Sequence, residues 1–267
     1  MPEIVVPSRA EPDPDGTLVR VTPESAGWGW VGFEVVRLEG PGILKRDNEG
    51  QEVCLVPLSG TIRVSGEAGS WEEVGGRKNV FDGLPHGLYL PPDVSYTVEA
   101  TTGPAEVALC WSPAERGAEP LLVGPDDIEV ERRGSGAFER EVRPILMADR
   151  PAEHLLVVEV ITPQGHWSSY PPHKHDVEDP PRETYLEETY YHRMRPEGGF
   201  ALQRVYSGDR SLDETVSVRD GDVVLVPRGY HTVSAPPGYD LYYLNVMAGP
   251  VREWAVSNDP DHEWLLK

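Results

Sequence analysis

Apolar residues fall along this chain in short bursts separated by turn-forming residues. FEVVRL (33–38), EVCLVPL (52–58), TIRV (61–64), LYLPP (88–92) and AEVALCW (105–111) lie in the first half. LLVVEVIT (155–162), ETYYHR (188–193), ALQRVY (201–206), DVVLVP (222–227) and YYLNVM (242–247) lie in the second. Each has the length of a strand and is rich in Val, Leu and Tyr, and many alternate apolar with polar positions. The 3.6-residue spacing of an amphipathic helix is scarce. Glycine and proline, 27 of each, punctuate the bursts. The pattern predicts an all-β fold, a sandwich or barrel.

The halves echo one another. GLYLPPDVSYTVEA (87–100) and VVLVPRGYHTVSA (223–235) share an apolar strand, a proline, a short polar turn and then Thr-Val-x-Ala. Their separation is near half the chain, which predicts two similar β-barrels in tandem. The charged, Pro- and Gly-rich stretch 112–150 reads as the connection. The expected domains are an N-terminal barrel over 1–130 and a C-terminal barrel over 131–267. Tyr96 in the first copy corresponds to His231 in the second, allowing one residue of slip, so the first barrel is expected to be structural and metal-free.

Charge and cysteine content narrow the function classes. A net charge of −21 argues against nucleic acid, whose binding depends on cationic neutralisation of phosphates. No apolar stretch approaches the roughly 20 residues of a membrane span. The N-terminus lacks the basic-then-apolar layout of a signal peptide. Cys54 and Cys110, each in an apolar run, read as buried thiols. A cytoplasmic location is expected; a homo-oligomer is allowed but not required.

Candidate chemistry concentrates in SSYPPHKHD (168–176). On a strand, residues i and i+2 point to one face, so His173 and His175 aim together and Lys174 aims away. Pro171 and Pro172 fix the entry of that strand. Glu187 and Glu188 on the next strand-like run offer a carboxylate, and His231 after Pro227-Arg228-Gly229-Tyr230 offers a third imidazole. Three imidazoles and one carboxylate suit a divalent ion such as Zn, Mn or Fe. Arg204 in ALQRVY is the strand-borne candidate for holding an anionic substrate group.

This constellation resembles the cupin superfamily, whose motifs run His-x-His, then Glu, and later Gly, five residues, Pro-x-Gly and His. Here the second motif is Gly221, DVVLV, Pro227, Arg228, Gly229, Tyr230, His231. The stretch between His175 and the glutamates is longer than in the common pattern, and His231 comes one residue early. Within the superfamily, SSYPPHKHD, LEETYYHR, GFALQRVY, VLVPRGYH, YYLNVMAGPVREW and DPDHEW resemble the 5-deoxy-glucuronate isomerase family of myo-inositol breakdown. AGWGWVGFEVVRL (26–38) and VFDGLPHGLYLPP (80–92) carry the resemblance into the first half.

The resemblance implies a bicupin fold, a divalent metal in the C-terminal barrel and a sugar acid as small-molecule substrate. It also implies aldose–ketose isomerisation between 5-deoxy-D-glucuronate and 5-keto-2-deoxy-D-gluconate. A related uronate isomerase of pectin breakdown has aromatic residues two, three and four positions after its glutamate ligand. Glu188, followed at those offsets by Tyr190, Tyr191 and His192, fits that pattern better than Glu187. The implied ligand set is His173, His175, Glu188 and His231. A cation on the substrate oxygens would polarise the carbonyl and stabilise an enediolate, while a base moves the proton; Glu183, Tyr190, His192 and Tyr243 are candidates for that base. Two other readings stay open at this point: a non-haem iron dioxygenase and a non-catalytic sugar-acid-binding cupin.

Overall fold

The computed structural model describes residues 3–266. Its regular structure is almost entirely antiparallel strand, arranged in two barrels of two sheets each. The first barrel has a six-stranded sheet in the order Leu121–Val123, Gly87–Leu90, Gln51–Ser59, Ala105–Pro113, Gly32–Leu38, Thr17–Val21. Its partner is a four-stranded sheet, Ile43–Asp47, Ser95–Ala100, Thr61–Gly66, Gly69–Gly75. The second barrel has a seven-stranded sheet, Val5–Val6, Val223–Val226, Glu187–Arg195, Asp240–Ala248, Leu156–Thr162, Arg140–Leu146, Glu131–Arg133. Its other sheet has five strands, Asp213–Arg219, Phe200–Tyr206, Tyr230–Ser234, Trp167–Lys174, Ser257–Asn258. No helix among the described residues is long and apolar enough to cross a membrane.

One strand near the N-terminus belongs with the second barrel. Val5 and Val6 pair with Val224 and Val223, so the chain begins as an edge of the second barrel before building the first. The partners are more than 200 residues apart in sequence, and so short a strand carries no local signal of where it pairs.

The longest apolar bursts fail to alternate because both of their faces are buried. In Gln51–Ser59, Val53 and Leu55 enter the core of the first barrel, whereas Cys54 and Val56 enter a core shared by both halves. In Asp240–Ala248, Leu241, Tyr243 and Met247 face the second barrel's interior, and Tyr242, Leu244 and Val246 face the shared core. The six- and seven-stranded sheets therefore pack back to back. Cys54 and Cys110 sit opposite each other in register, both free and buried. Burial pushes the Cys54 thiol up to about 12, leaving it inert at neutral pH.

Polar clasps fix how the halves meet. The carboxylate of Glu159 accepts from Arg77 of the first barrel at 3.0 and 3.1 Å and from Arg143 at 3.0 Å, all three buried. Two further clasps are reciprocal. Glu52 of the first barrel accepts the backbone N–H groups of Glu153, His154 and Leu155 at 2.6–2.8 Å and the hydroxyl of Tyr89 at 2.7 Å. Glu187 of the second barrel accepts the N–H groups of Gly29, Trp30 and Val31 at 2.6–3.0 Å. Each glutamate ties down a loop between two strands of the other half's barrel.

Removing either carboxylate strands three N–H donors between the halves. Glu52→Ala and Glu187→Ala are each expected to lower stability by about 2–4 kcal/mol in urea unfolding. A loss within about 0.5 kcal/mol, the range of a surface substitution, would show that these clasps do not hold the halves together.

Candidate metal centre

One strand decides which glutamate faces the histidines. Side chains alternate along Glu187–Arg195. Glu187, Tyr191 and Arg193 turn toward the first half, where Tyr191 meets Phe33 with ring centroids 5.4 Å apart and Arg193 donates to Glu106 at 2.8 Å. Glu188, Tyr190 and His192 turn into the second barrel. With Glu187 holding three backbone donors, Glu188 is the carboxylate beside the imidazoles.

The histidines arrive by two irregular approaches. Trp167–Lys174 pairs with Tyr230–Ser234 at Trp167 and Ser168, breaks, and resumes with His173 opposite His231. The break holds Ser169 in the left-handed region (φ 49°), followed after Tyr170 by Pro171 and Pro172, which have no N–H to offer a ladder. On the other side, Gly229 turns the chain at φ 86°, where a Cβ would lie 2.4 Å from the Tyr206 carbonyl oxygen. Its N–H donates to Asp176 at 2.7 Å, fixing the turn that delivers His231. Ring centroids of His173 and His231 are 4.6 Å apart, and those of His175 and His231 5.2 Å. One nitrogen from each of the three rings lies within 4.8 Å of the others.

The hydrogen-bonding pattern fits a cation at this point. His175 Nδ1 is 2.9 Å from the Leu186 carbonyl, which can only accept, so Nδ1 carries the proton and Nε2 of a neutral ring bears a lone pair. That Nε2 lies 2.9 Å from Glu188 Oε2, itself an acceptor. His231 repeats the arrangement: Nδ1 is 3.3 Å from the Gly229 carbonyl, and the buried Nε2 lies 3.1 Å from the same carboxylate oxygen without a hydrogen bond. Two lone pairs converging on a carboxylate need a proton or a metal ion between them. Burial pushes the His173 imidazole well below its ordinary range, and positive charge on His231 and His175 pushes it further, so a fully protonated cluster is disfavoured. Burial opposes charge on His175 as well, but its hydrogen bond to Glu188 prevails and raises it. Burial would raise Glu188, yet the His231 and His175 charges hold its carboxyl far below the usual range. The residues fit a single divalent ion bound by imidazole and carboxylate.

A cavity of about 580 Å³ opens from this cluster, with His173, Glu188, Tyr190, Tyr243 and Ser169 in its wall. Of the four residues suggested as a base, only the two tyrosines reach it. Both are buried phenols raised above their ordinary range by desolvation. Tyr190 Oη is 2.9 Å from Ser169 Oγ, and Tyr243 Oη is 2.5 Å from Ser168 Oγ. Glu183 instead locks the loop before the strand: it accepts from Lys174 Nζ at 2.8 and 3.0 Å and from the N–H groups of Asp176 and Val177. His192 lies behind Tyr190 and bonds Gln203 at 2.8 Å; burial lowers it to about 4.

Arg204 corrects the expectation of an anion-binding role. Its strand faces solvent there; the guanidinium donates to Asp213 at 2.8 Å through both Nε and Nη2 and lies over the Tyr206 ring, outside the cavity wall. The sequence reading missed Arg133, Arg140 and Trp254, which do line the cavity. Trp254 stands edge-on to His173 at 6.0 Å.

The first barrel carries the same framework with different side chains. Val53 pairs with Leu90, just before Pro91, as Glu188 pairs with Val226, just before Pro227. Arg46 stands opposite Tyr96 as His173 stands opposite His231. Arg46, Asn48, Val53 and Tyr96 thus occupy the places of His173, His175, Glu188 and His231. They line a cavity of about 170 Å³ in which Arg46 donates to Glu34 at 3.0 Å. A guanidinium and a valine replace metal-binding groups.

Residues 5–265 match the KduI/IolB family. The chain belongs to the KduI/IolB family. A KduI/IolB relative from Geobacillus kaustophilus, named 5-deoxy-glucuronate isomerase, is 52% identical over all of this chain and 96% of its own length. The crystal structure of an IolB-like protein from Salmonella typhimurium superposes with a TM-score of 0.96 at 41% identity, covering 99% of this chain and 100% of that one. Oxalate decarboxylase from Lactobacillus farciminis shares the bicupin fold at a TM-score of 0.66 and 13% identity, over 97% of this chain and 89% of its own.

For this KduI/IolB protein, purification without chelators is expected to give about one divalent ion per chain by elemental analysis. His173→Ala and His231→Ala should each reduce occupancy by at least about tenfold. Full occupancy in both variants would place the ion elsewhere.

Proposed function

We propose that this protein interconverts 5-deoxy-D-glucuronate and 5-keto-2-deoxy-D-gluconate in the degradation of myo-inositol, using one divalent ion held by His173, His175, Glu188 and His231. The observation that carries the reading is the pairing of full-length KduI/IolB membership with this donor set at the head of a cavity. Relatives at 45–52% identity bear the name of that isomerase. Mixed nitrogen and oxygen donors suit Zn, Mn or Fe alike.

When bound, the ion supplies a Lewis acid for the substrate's carbonyl oxygen, where negative charge develops. The chain's own side chains supply the rest. His173 and Glu188 are the members of the donor set that face the cavity. Tyr190 and Tyr243 remain neutral at physiological pH and can donate from Oη to the substrate's oxygens. Ser168 and Ser169 hold those hydroxyls in place. Val142, Val158, Val160 and Met247 form an apolar wall that keeps water from the reacting carbons. The net change moves one proton from the hydroxyl-bearing carbon to the former aldehyde carbon and a second from that carbon's hydroxyl to the former aldehyde oxygen, with no change in overall oxidation state.

The test is NMR of 5-deoxy-D-glucuronate with metal-replete protein in D2O. The aldehyde proton signal should disappear as ketose forms, and solvent deuterium should enter the former aldehyde carbon. Isomerisation without deuterium would replace proton transfer by a hydride shift. Oxygen uptake without isomerisation would assign dioxygenase chemistry, and binding without turnover a sugar-acid-binding protein.

A further inference from the structure

We infer that Arg140, with Arg133 beside it, forms the carboxylate-binding subsite of the cavity and sets a preference for sugar acids over neutral sugars. The inference rests on the isomerase reading above, which supplies an acid with an aldehyde at one end and a carboxylate at the other.

Arg140 begins the strand Arg140–Leu146, and Arg133 is its direct partner across the ladder. Paired residues share a face, and both side chains line the same cavity as His173 and Glu188. Like charges directly opposite one another are destabilising unless an anion sits between them. Arg133 is partly neutralised, with Nε donating to Glu131 at 2.7 Å and its guanidinium 5.1 Å over the Trp254 ring. Arg140 has no carboxylate partner among the described residues. Only its Nη1 donates, to the carbonyls of Phe138 and Tyr170, both at a long 3.3 Å. Nε and Nη2, the two parallel donors that match a carboxylate, make no bond to the described residues.

Other cations near the site are already engaged. Arg150 lines the cavity but donates to the carbonyls of Pro144, Ile145 and Asp127. Lys174 is held by Asp176 and Glu183, and Arg204 by Asp213. The wall also carries Asp127, Glu129, Glu131 and Asp149; Glu131 is paired with Arg133, and none of the four bonds Arg140. Burial disfavours the Arg140 cation; the Tyr243 phenol opposes that effect and the Arg133 charge adds to it. An incoming carboxylate would relieve both burdens through a bidentate pair. It would also orient the sugar with its aldehyde toward His173 and Glu188.

The test compares 5-deoxy-D-glucuronate with 5-deoxy-D-glucose, which carries an alcohol where the acid has its carboxylate. In Arg140→Gln, KM for the acid should rise roughly 10- to 100-fold, as expected for loss of a charged hydrogen-bonded pair. The acid-to-neutral ratio of kcat/KM should fall by a similar factor, with metal content unchanged. Arg140→Lys, a point charge without the fork, should recover only part of the ratio. An unchanged ratio in Arg140→Gln overturns the subsite, while wild-type activity leaves the isomerase reading standing. If neither variant folds with parental metal content, Arg140 is a structural residue and the subsite is likewise overturned. Wild-type protein that converts neither sugar removes the isomerase reading and the subsite with it.

Discussion

The alternation of side chains along Glu187–Arg195 is the constraint on which this molecule depends. The strand is at once an interior wall of the second barrel and a face of the seam between the halves. Glu187 binds three N–H groups of the first half, and Glu188 meets two imidazoles in the second. Because the side-chain period is two, a slip of one residue would exchange these roles and break the clasp and the donor set together. Assembly of the halves therefore fixes the register that presents Glu188.

The two barrels show how little of the chemistry belongs to the framework. Their ladders superimpose in pattern, down to the proline after the strand that pairs with Val53 or Glu188. Glu52 and Glu187, one residue earlier, keep the same job in both. The divergence lies in the four positions facing the barrel interior. Arg46, Asn48, Val53 and Tyr96 line one cavity, where Arg46 is paired with Glu34, whereas His173, His175, Glu188 and His231 gather lone pairs at the head of the other. The two barrels differ in those side chains rather than in their framework, and they pack against each other through a shared core.

Much of this was legible in the chain. Strands could be counted because Gly and Pro separate apolar bursts, and the repeat could be seen because 87–100 and 223–235 keep the same turn chemistry. The His-x-His pair and the PRGYH turn disclosed the cluster, since strand periodicity and a glycine-dependent turn are local properties. Long-range properties were hidden. Val5–Val6 crosses to the second barrel through a pairing no local pattern encodes. Arg204 looked suited to an anion because it lies on an alternating strand, but its neighbour on the next strand is Asp213. Arg140 lies at the end of a charged stretch that read as a connection, and only the ladder to Arg133 brings it to the cavity.

The central claim is that one framework, used twice, holds a metal ion only where its four interior positions are His173, His175, Glu188 and His231. Anomalous diffraction from crystals of the metal-replete protein, recorded above and below the absorption edge of the bound element, tests it most directly. The account predicts one peak per chain, in contact with those four side chains, and none beside Arg46, Val53 and Tyr96. A peak in the first barrel, or one in the second that leaves Glu188 out of contact, would contradict it.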